Sequence, residues 1–278
     1  MTETHYEPKT VEQQHLEDMQ RLRGLRPIDD DFMRVLFREN VPLAQYVLRT
    51  LTGKGDLVLS SCVTQADMKR VTGARSVCLD AYGSDAAGRK YDIEIQRADR
   101  GADPHRARYH SSVMDVENLD AGQDFNQLPD TYVIFITEKD FFSRGAPVYV
   151  IRNMNLTTGE PFNDGTAILY VNGEYRGDDS IGELMHDFNC SDPDDMKIAM
   201  LRERSRYYKE SKEGIAEMCK VMEDMRNAAA KEAAEASRIQ TFVDAITGIK
   251  KMFGVDNDKA LEAANVPAEL RAAVLAAL

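Results

Sequence analysis

The sequence predicts an α/β fold, a mixed sheet flanked by helices, with a helical extension towards the C-terminal end. Three observations lead there. Phe32, Val35, Leu36 and then Leu43, Tyr46, Val47 and Leu48 recur at helical spacing. Strand-like runs follow at 56–65, 76–82, 90–96, 131–140, 147–156 and 166–175, interrupted by one amphipathic stretch. From about residue 180 the composition turns to Ala, Glu and Lys, which favours helices.

Residues 1–28 are polar, run into RLRGLRPID and predict an arm or short helix ahead of the main domain. Asp29, Asp30 and Asp31 supply an N-cap and an acidic first turn, which suit the free amides at a helix start. Pro42 divides the apolar stretch into two helices, because proline has no amide to donate, and Gly53 ends the second. DLVLSSCVTQ, SVCLDAY and KYDIEIQ read as strands, the last two joined by the turn-rich GSDAAG. Pro104 opens HRARYHSSVMDVENLDAG as an amphipathic helix that stops near Gly122. TYVIFITEKD is apolar and β-branched, as a central strand should be, and PVYVIRNMNL and TAILYVNGEY add further strands. IGELMHDF is then a short helix, Met196–Arg238 a long charged one, and the remainder two or three short helices broken at Gly254 and Pro267. Three regions result: an arm over 1–28, a core over 29–180 and a helical region over 181–278.

With 43% hydrophobic and 29% charged residues, 278 residues suffice for one substantial core with an appendage, or for two small domains. The net charge of −12 weighs against indiscriminate coating of nucleic acid; any such contact needs a local basic patch or metal ions. Cys62, Cys78, Cys190 and Cys219 include no CxxC pair and the five histidines are scattered, so neither a zinc framework nor a disulfide scaffold is expected. That cysteine usage fits a reducing cytoplasm. There is no N-terminal apolar h-region, and no run approaches the roughly 18–20 apolar residues of a membrane span. A soluble cytoplasmic protein is expected. No GxxxxGK[ST] or GxGxxG occurs to suggest nucleotide binding.

The hairpin over 76–96 carries the chemistry. Alternation along a strand puts Asp92, Glu94 and Gln96 on one face and Tyr91, Ile93 and Ile95 on the other. In the partner strand Val77 and Leu79 face the core, which turns Cys78 and Asp80 to the side of Glu94. Folding about GSDAAG places Asp80 roughly opposite Asp92 and diagonal to Glu94, about 7–8 Å away at the backbone. Two carboxylates aimed at one point repel unless a proton or cation lies between them, and oxygen-only ligands favour a hard ion such as Mg2+. The ordinary alternative is a wet strand face, which spacing alone favours. Cys78 has no paired histidine and reads best as a buried thiol.

Asp31-Phe32-Met33 and Leu36-Phe37 in the first helix, Asp80, YDIEIQ at 91–96, Arg106-Ala107-Arg108-Tyr109 and TYVIFIT at 131–137 occur in a telling order. In that order they resemble the PD-(D/E)XK nuclease superfamily, and more narrowly the bacterial Rpn group of recombination-promoting nucleases, often labelled transposases. The likeness covers about residues 27–230, and FGVDNDKALEAANVPAEL resembles the group's helical tail. It implies a restriction-endonuclease-like core, α-β-β-β-α-β, and a Mg2+-dependent DNA endonuclease, with Mn2+ as a substitute, serving recombination or mobile elements. Asp80 and Glu94 are then the metal ligands, and Gln96 occupies the place of the superfamily lysine. Leu79 replaces the nominal proline, a minor departure. Gln96 matters more, since an amide orients water but cannot neutralise charge, leaving that work to metal or to an arginine of the helix at 105–118.

Around that centre, Asp31 is an outer contact to metal or water, with an N-cap role as its alternative. Arg97, Arg106 and Arg108, together with Arg100, His105 and His110, form a basic cluster for DNA phosphates, or else a solvated helix face. Tyr207-Tyr208-Lys209 suits packing better than base stacking. A homodimer through the C-terminal helices completes the expected partners. Two rival readings remain. One is a catalytically inactive nuclease-fold module that binds DNA or protein, favoured by the −12 charge and Gln96. The other is a protein-binding module built on the C-terminal helices.

Overall fold

Thr10 starts the first helix, α1 (Val11–Gly24), with a reciprocal cap: its hydroxyl accepts the Gln13 N–H, and the Gln13 side chain accepts the Thr10 N–H. The polar N-terminal stretch is therefore helical over that span. The computed structural model describes residues 10–68, 77–96 and 101–278. Helices α2 (Asp30–Phe37) and α3 (Val41–Thr52) meet at Asn40, whose side-chain oxygen accepts the Leu43 N–H at 3.3 Å. Pro42 sits in the first turn of α3, where its missing N–H is no loss. Gly53 closes α3 at φ 68°, a left-handed cap that suits glycine.

Strands β1 (Leu59–Met68), β2 (Val77–Asp85) and β3 (Lys90–Gln96) form an antiparallel meander. α4 (Pro104–Asn118) then crosses to β4 (Thr131–Thr137), which runs parallel to β3, as a parallel neighbour requires. β5 (Val148–Ile151) follows, then a separate two-stranded ribbon of β6 (Met154–Asn155) and β7 (Glu160–Pro161), then β8 (Thr166–Asn172). The main sheet has six strands in the order β1-β2-β3-β4-β8-β5, with β8 parallel to β4 and β5 antiparallel at the edge. The expected α/β core, a mixed sheet between helices, is what forms. On one face Leu79, Val133, Phe135 and Tyr170 pack against Ala107 and Met114 of α4. Lys54, just after α3, lies over the ring of Tyr132, which stacks on Tyr91. All seven residues of β4 are buried, as its apolar run predicts.

The β2–β3 turn is shorter than the sequence suggests. Gly83, Ser84 and Asp85 belong to β2, and the chain reverses over 86–89. Gly83 is required there: a Cβ would stand 2.8 Å from the Ser61 carbonyl oxygen of β1. Asp85 closes the turn. Its Oδ1 accepts the Ala87 and Arg89 amides, and its Oδ2 accepts Arg89 Nε at 2.6 Å and the Tyr91 hydroxyl at 2.9 Å.

Beyond the sheet come α5 (Ser180–Phe188), α6 (Ala199–Glu210) and α7 (Lys212–Phe253). The helix expected over Met196–Arg238 is thus two. Ser211 leaves helical geometry at ψ 147°, and its hydroxyl donates to the Tyr207 carbonyl and accepts the Gly214 N–H. α7 also runs on to Phe253, through the TFVDAITGIKKMF stretch expected to be separate. Tyr208 of α6 packs edge-on against Phe32, and Lys209 donates to the carbonyls of Arg23 and Leu25, so this trio serves packing and helix capping.

The chain divides into two compact units, Met1–Cys219 and Lys220–Leu278. In the second, α8 (Asn257–Ala263) and α9 (Ala268–Ala277) bury Ala260, Leu261, Leu270 and Val274 with Ile246 of α7. No helix among the described residues is long and apolar enough to cross a membrane.

Candidate metal centre

The centre begins where the β2–β3 ladder ends. Tyr82 pairs with Asp92 and Ala81 with Ile93, the last registered pair towards this end. Asp80 therefore lies beside Glu94 and diagonal to Asp92. This corrects the expected register, and the cause is the tighter Asp85 turn. Beyond Ala81 the carboxylates take over the bridging: the Asp80 N–H donates to Glu94 Oε1 at 3.0 Å, and the Ile95 N–H donates to Asp80 Oδ2 at 3.2 Å. Strict alternation also breaks here, since Leu79 and Tyr82, three residues apart, both pack in the cluster under α4. Across β1, Gln65 takes φ 57° beside this break.

The acidic face is not wet. Asp92 and Glu94 are fully buried and Asp80 is 9% exposed. His110 of α4, itself 2% exposed, brings Nδ1 to 2.9 Å from Asp92 Oδ2 and 3.8 Å from Glu94 Oε1. One helical turn earlier, Arg106 donates from Nη2 to Glu94 Oε2 at 3.0 Å and from Nε to His110 Nε2 at 3.2 Å. Its Nη1 lies 3.5 Å from Gln96 Oε1. Gln96 in turn folds over Gly101, where a Cβ would lie 1.7 Å from the amide oxygen, so glycine there makes room for it. α4 is held in place by Asp103, which caps it through the His105 amide, and by the Tyr170 hydroxyl on the Ala102 carbonyl.

Burial dominates the electrostatics. It pushes the Asp80 carboxyl above the usual range, with help from Asp30 of α2, while the Ile95 amide, Arg34 and Arg106 pull the other way. Glu94 is raised by burial and then by Asp92 and Asp80, which outweigh His110 and the Asp80 amide. Asp92 is raised by burial and then by Asp80, and His110 is lowered chiefly by burial. A packed group of acids that all resist ionisation is arranged to take up protons or a cation.

The remaining expected residues fall differently. Asp31 is buried on α2 but ion-paired with Arg21 of α1, and it lines a cleft with Arg26 and Asp29. Its neighbour Asp30, paired with Arg34 at 2.8 Å, is the α2 acid whose charge reaches Asp80. Asp29 holds the N-cap position, so Asp31 does not cap α2. Arg108, two residues past Arg106, is exposed, and that spacing turns it away from Glu94. His105 is exposed on Asp103 Oδ1, while His110 is buried rather than part of a surface cluster. Arg97, Arg100 and the side chain of Cys78 lie outside the described residues. The group therefore includes Asp92, which the expected ligand pair omits, and His110, which was expected in the basic cluster. The signal for both was present: Asp92 shares a face with Glu94, and Arg106 and His110 are four apart on one helix.

No curated protein and no solved structure matches the chain. Residues 61–175, which run from within β1 to just past β8 and include Asp80, Asp92 and Glu94, match the family model described as PD-(D/E)XK nuclease family transposase. Nucleases of this kind generally use divalent metals, and Asp92, Glu94 and His110 form an acidic group of that character. Residues 61–175 thus resemble a PD-(D/E)XK nuclease family transposase domain, a likeness that supports a nuclease-type function.

Proposed function

We infer that the protein is a divalent-metal-dependent DNA endonuclease that cleaves phosphodiester bonds during recombination or mobile-element activity. The observation that carries this reading is the pair of carboxylates, Asp80 and Glu94, brought side by side at the point where β2 and β3 part. The donor set fits a hard or borderline ion: buried carboxylate oxygens, with Arg106 Nη2 on Glu94 Oε2 at 3.0 Å. A bound ion would polarise a phosphoryl oxygen and lower the pKa of an attacking water.

The chain's own residues supply the rest. Gln96 can orient a water through its amide but carries no charge. Arg106, beside Gln96, brings a permanent positive charge to where the superfamily lysine would stand, and it suits an oxyanion of phosphorus through its planar fork. Exposed Arg108 fits a contact to the DNA backbone farther along the duplex.

One observation favours a second reading, a non-cleaving DNA-binding module: Arg106 already occupies Glu94 Oε2. A plasmid-nicking assay with Mg2+ or Mn2+ separates the two. Wild type should nick supercoiled DNA only with the metal, and Asp80→Asn should lose about 100-fold or more of that rate. Cleavage that survives Asp80→Asn, or DNA binding without cleavage in any divalent metal, overturns the endonuclease assignment.

A further inference from the structure

Asp92 has no part in the reading above, yet it is fully buried, like Glu94. Its Oδ2 faces His110 Nδ1 at 2.9 Å, while its Oδ1 meets no hydrogen-bond donor among the described residues. The adjacent carboxyl, Glu94, bonds to it only through a proton or a cation, because two carboxylate oxygens are both acceptors. An isolated Asp–His pair leaves this arrangement unexplained, since a single imidazole serves one oxygen and leaves the other stranded.

We propose that Asp92, Glu94 and His110 hold one divalent ion between them, with the His110 imidazole as a direct nitrogen ligand. The proposal rests on the reading that Glu94 belongs to a metal centre, and it adds two ligands that this reading does not use. One ligand atom from each residue lies within 4.8 Å of the others. Two donors about 2.1 Å from one ion and at right angles stand about 3 Å apart, which matches His110 Nδ1 to Asp92 Oδ2 at 2.9 Å. The 3.8 Å from Nδ1 to Glu94 Oε1 suits a wider angle at the same ion. Imidazole together with carboxylates selects a first-row transition ion, Mn2+ or Zn2+, over Mg2+.

The geometry also links this site to Arg106. Arg106 Nε donates to His110 Nε2, so the ring proton sits on Nδ1, towards Asp92. Ligation through Nδ1 moves that proton to Nε2, where two N–H groups face each other. The guanidinium then leaves Nε2 and becomes available to an anionic substrate.

The test is pulsed EPR of the full chain with Mn2+, in which a coordinated 14N modulates the electron spin echo. Wild type and Asp80→Asn should both show the modulation, and labelling histidine with 15N should replace it. Asp92→Asn should remove it and weaken Mn2+ binding, read by titration calorimetry, by about 10-fold or more. Mn2+ bound by oxygen alone overturns the proposal, and if that binding is lost in Asp80→Asn, the endonuclease centre stands without it. Nitrogen modulation that persists in Asp92→Asn assigns the imidazole to another site and also overturns it. No Mn2+ binding by wild type overturns both. The 15N exchange needs no substitution, so the result does not depend on a variant that fails to fold.

Discussion

Replacing Asp85 by alanine removes four bonds from the turn that sets the hairpin register: those from the Ala87 and Arg89 amides, from Arg89 Nε and from the Tyr91 hydroxyl. The Asp85 side chain is 1% exposed, so water cannot replace them. Allowing about 1 kcal/mol net for each of the three bonds from Ala87 and Arg89, and about 1–3 for the stranded Tyr91 hydroxyl, gives a loss of about 4–6 kcal/mol. At about 2–4 °C per kcal/mol, the melting midpoint should fall by about 10–20 °C. Burial alone would raise the Asp85 carboxyl, but Tyr91 and Arg89 outweigh it and hold the group below its usual range. A depressed acid contributes stability above its unfolded value, near 4, and loses it as the pH falls through the folded value. Melts followed by circular dichroism between pH 3 and 7 should therefore show an acid limb in wild type that is weaker in Asp85→Ala. A fall under about 2 °C with an unchanged acid limb would refute the claim that Asp85 fixes the register.

Three further outcomes follow from the same structure. Asp80, Asp92 and Glu94 all have raised folded values, so their contribution is complete below about pH 4 and lost as the pH rises through those values. His110, lowered by burial, acts in the opposite sense below about 6.5, so melts in EDTA should be compared from pH 6.5 to 8.5; stability should decline there, and a rising profile contradicts the account. Phe135, fully buried between the rings of His110 at 5.9 Å and Tyr170 at 5.6 Å, should cost about 3–5 kcal/mol in urea unfolding when changed to alanine. Arg108→Ala should leave the urea midpoint nearly unchanged and reduce the salt slope of DNA binding by about one, whereas an unaltered slope removes Arg108 from the interface.

The order of elements was legible because each carries its own periodicity or breaker. Phe32, Val35 and Leu36 mark a helix face, Pro42 and Gly53 mark boundaries, and TYVIFIT is apolar on both faces because helices cover both. The register was not legible. GSDAAG looks like a six-residue turn, but Gly83 is glycine to let β1 approach, and Asp85 closes the turn with its side chain. The burial of Asp92 depends on where α4 lies, and the rotation of α4 decides that His110 points inward while Arg108 points out. None of that is written in spacing along one strand. Asp30 and Asp31 are neighbours of the same chemistry, and only the packing of α1, through Arg21, separates their roles. The join at Ser211 was hidden because serine is tolerated within helices, and its hydroxyl breaks this one through Tyr207 and Gly214.

At the parting of β2 and β3, each acid also stitches the other's strand through a main-chain N–H. Truncating either side chain cuts a stitch as well as a charge, so a dead alanine mutant cannot distinguish lost chemistry from a sprung seam. Asparagine at 80 and glutamine at 94 keep a carbonyl oxygen for the stitch while discarding the charge. Genetic surveys of this protein that rely on alanine alone will therefore overstate how much these two positions contribute to reactivity.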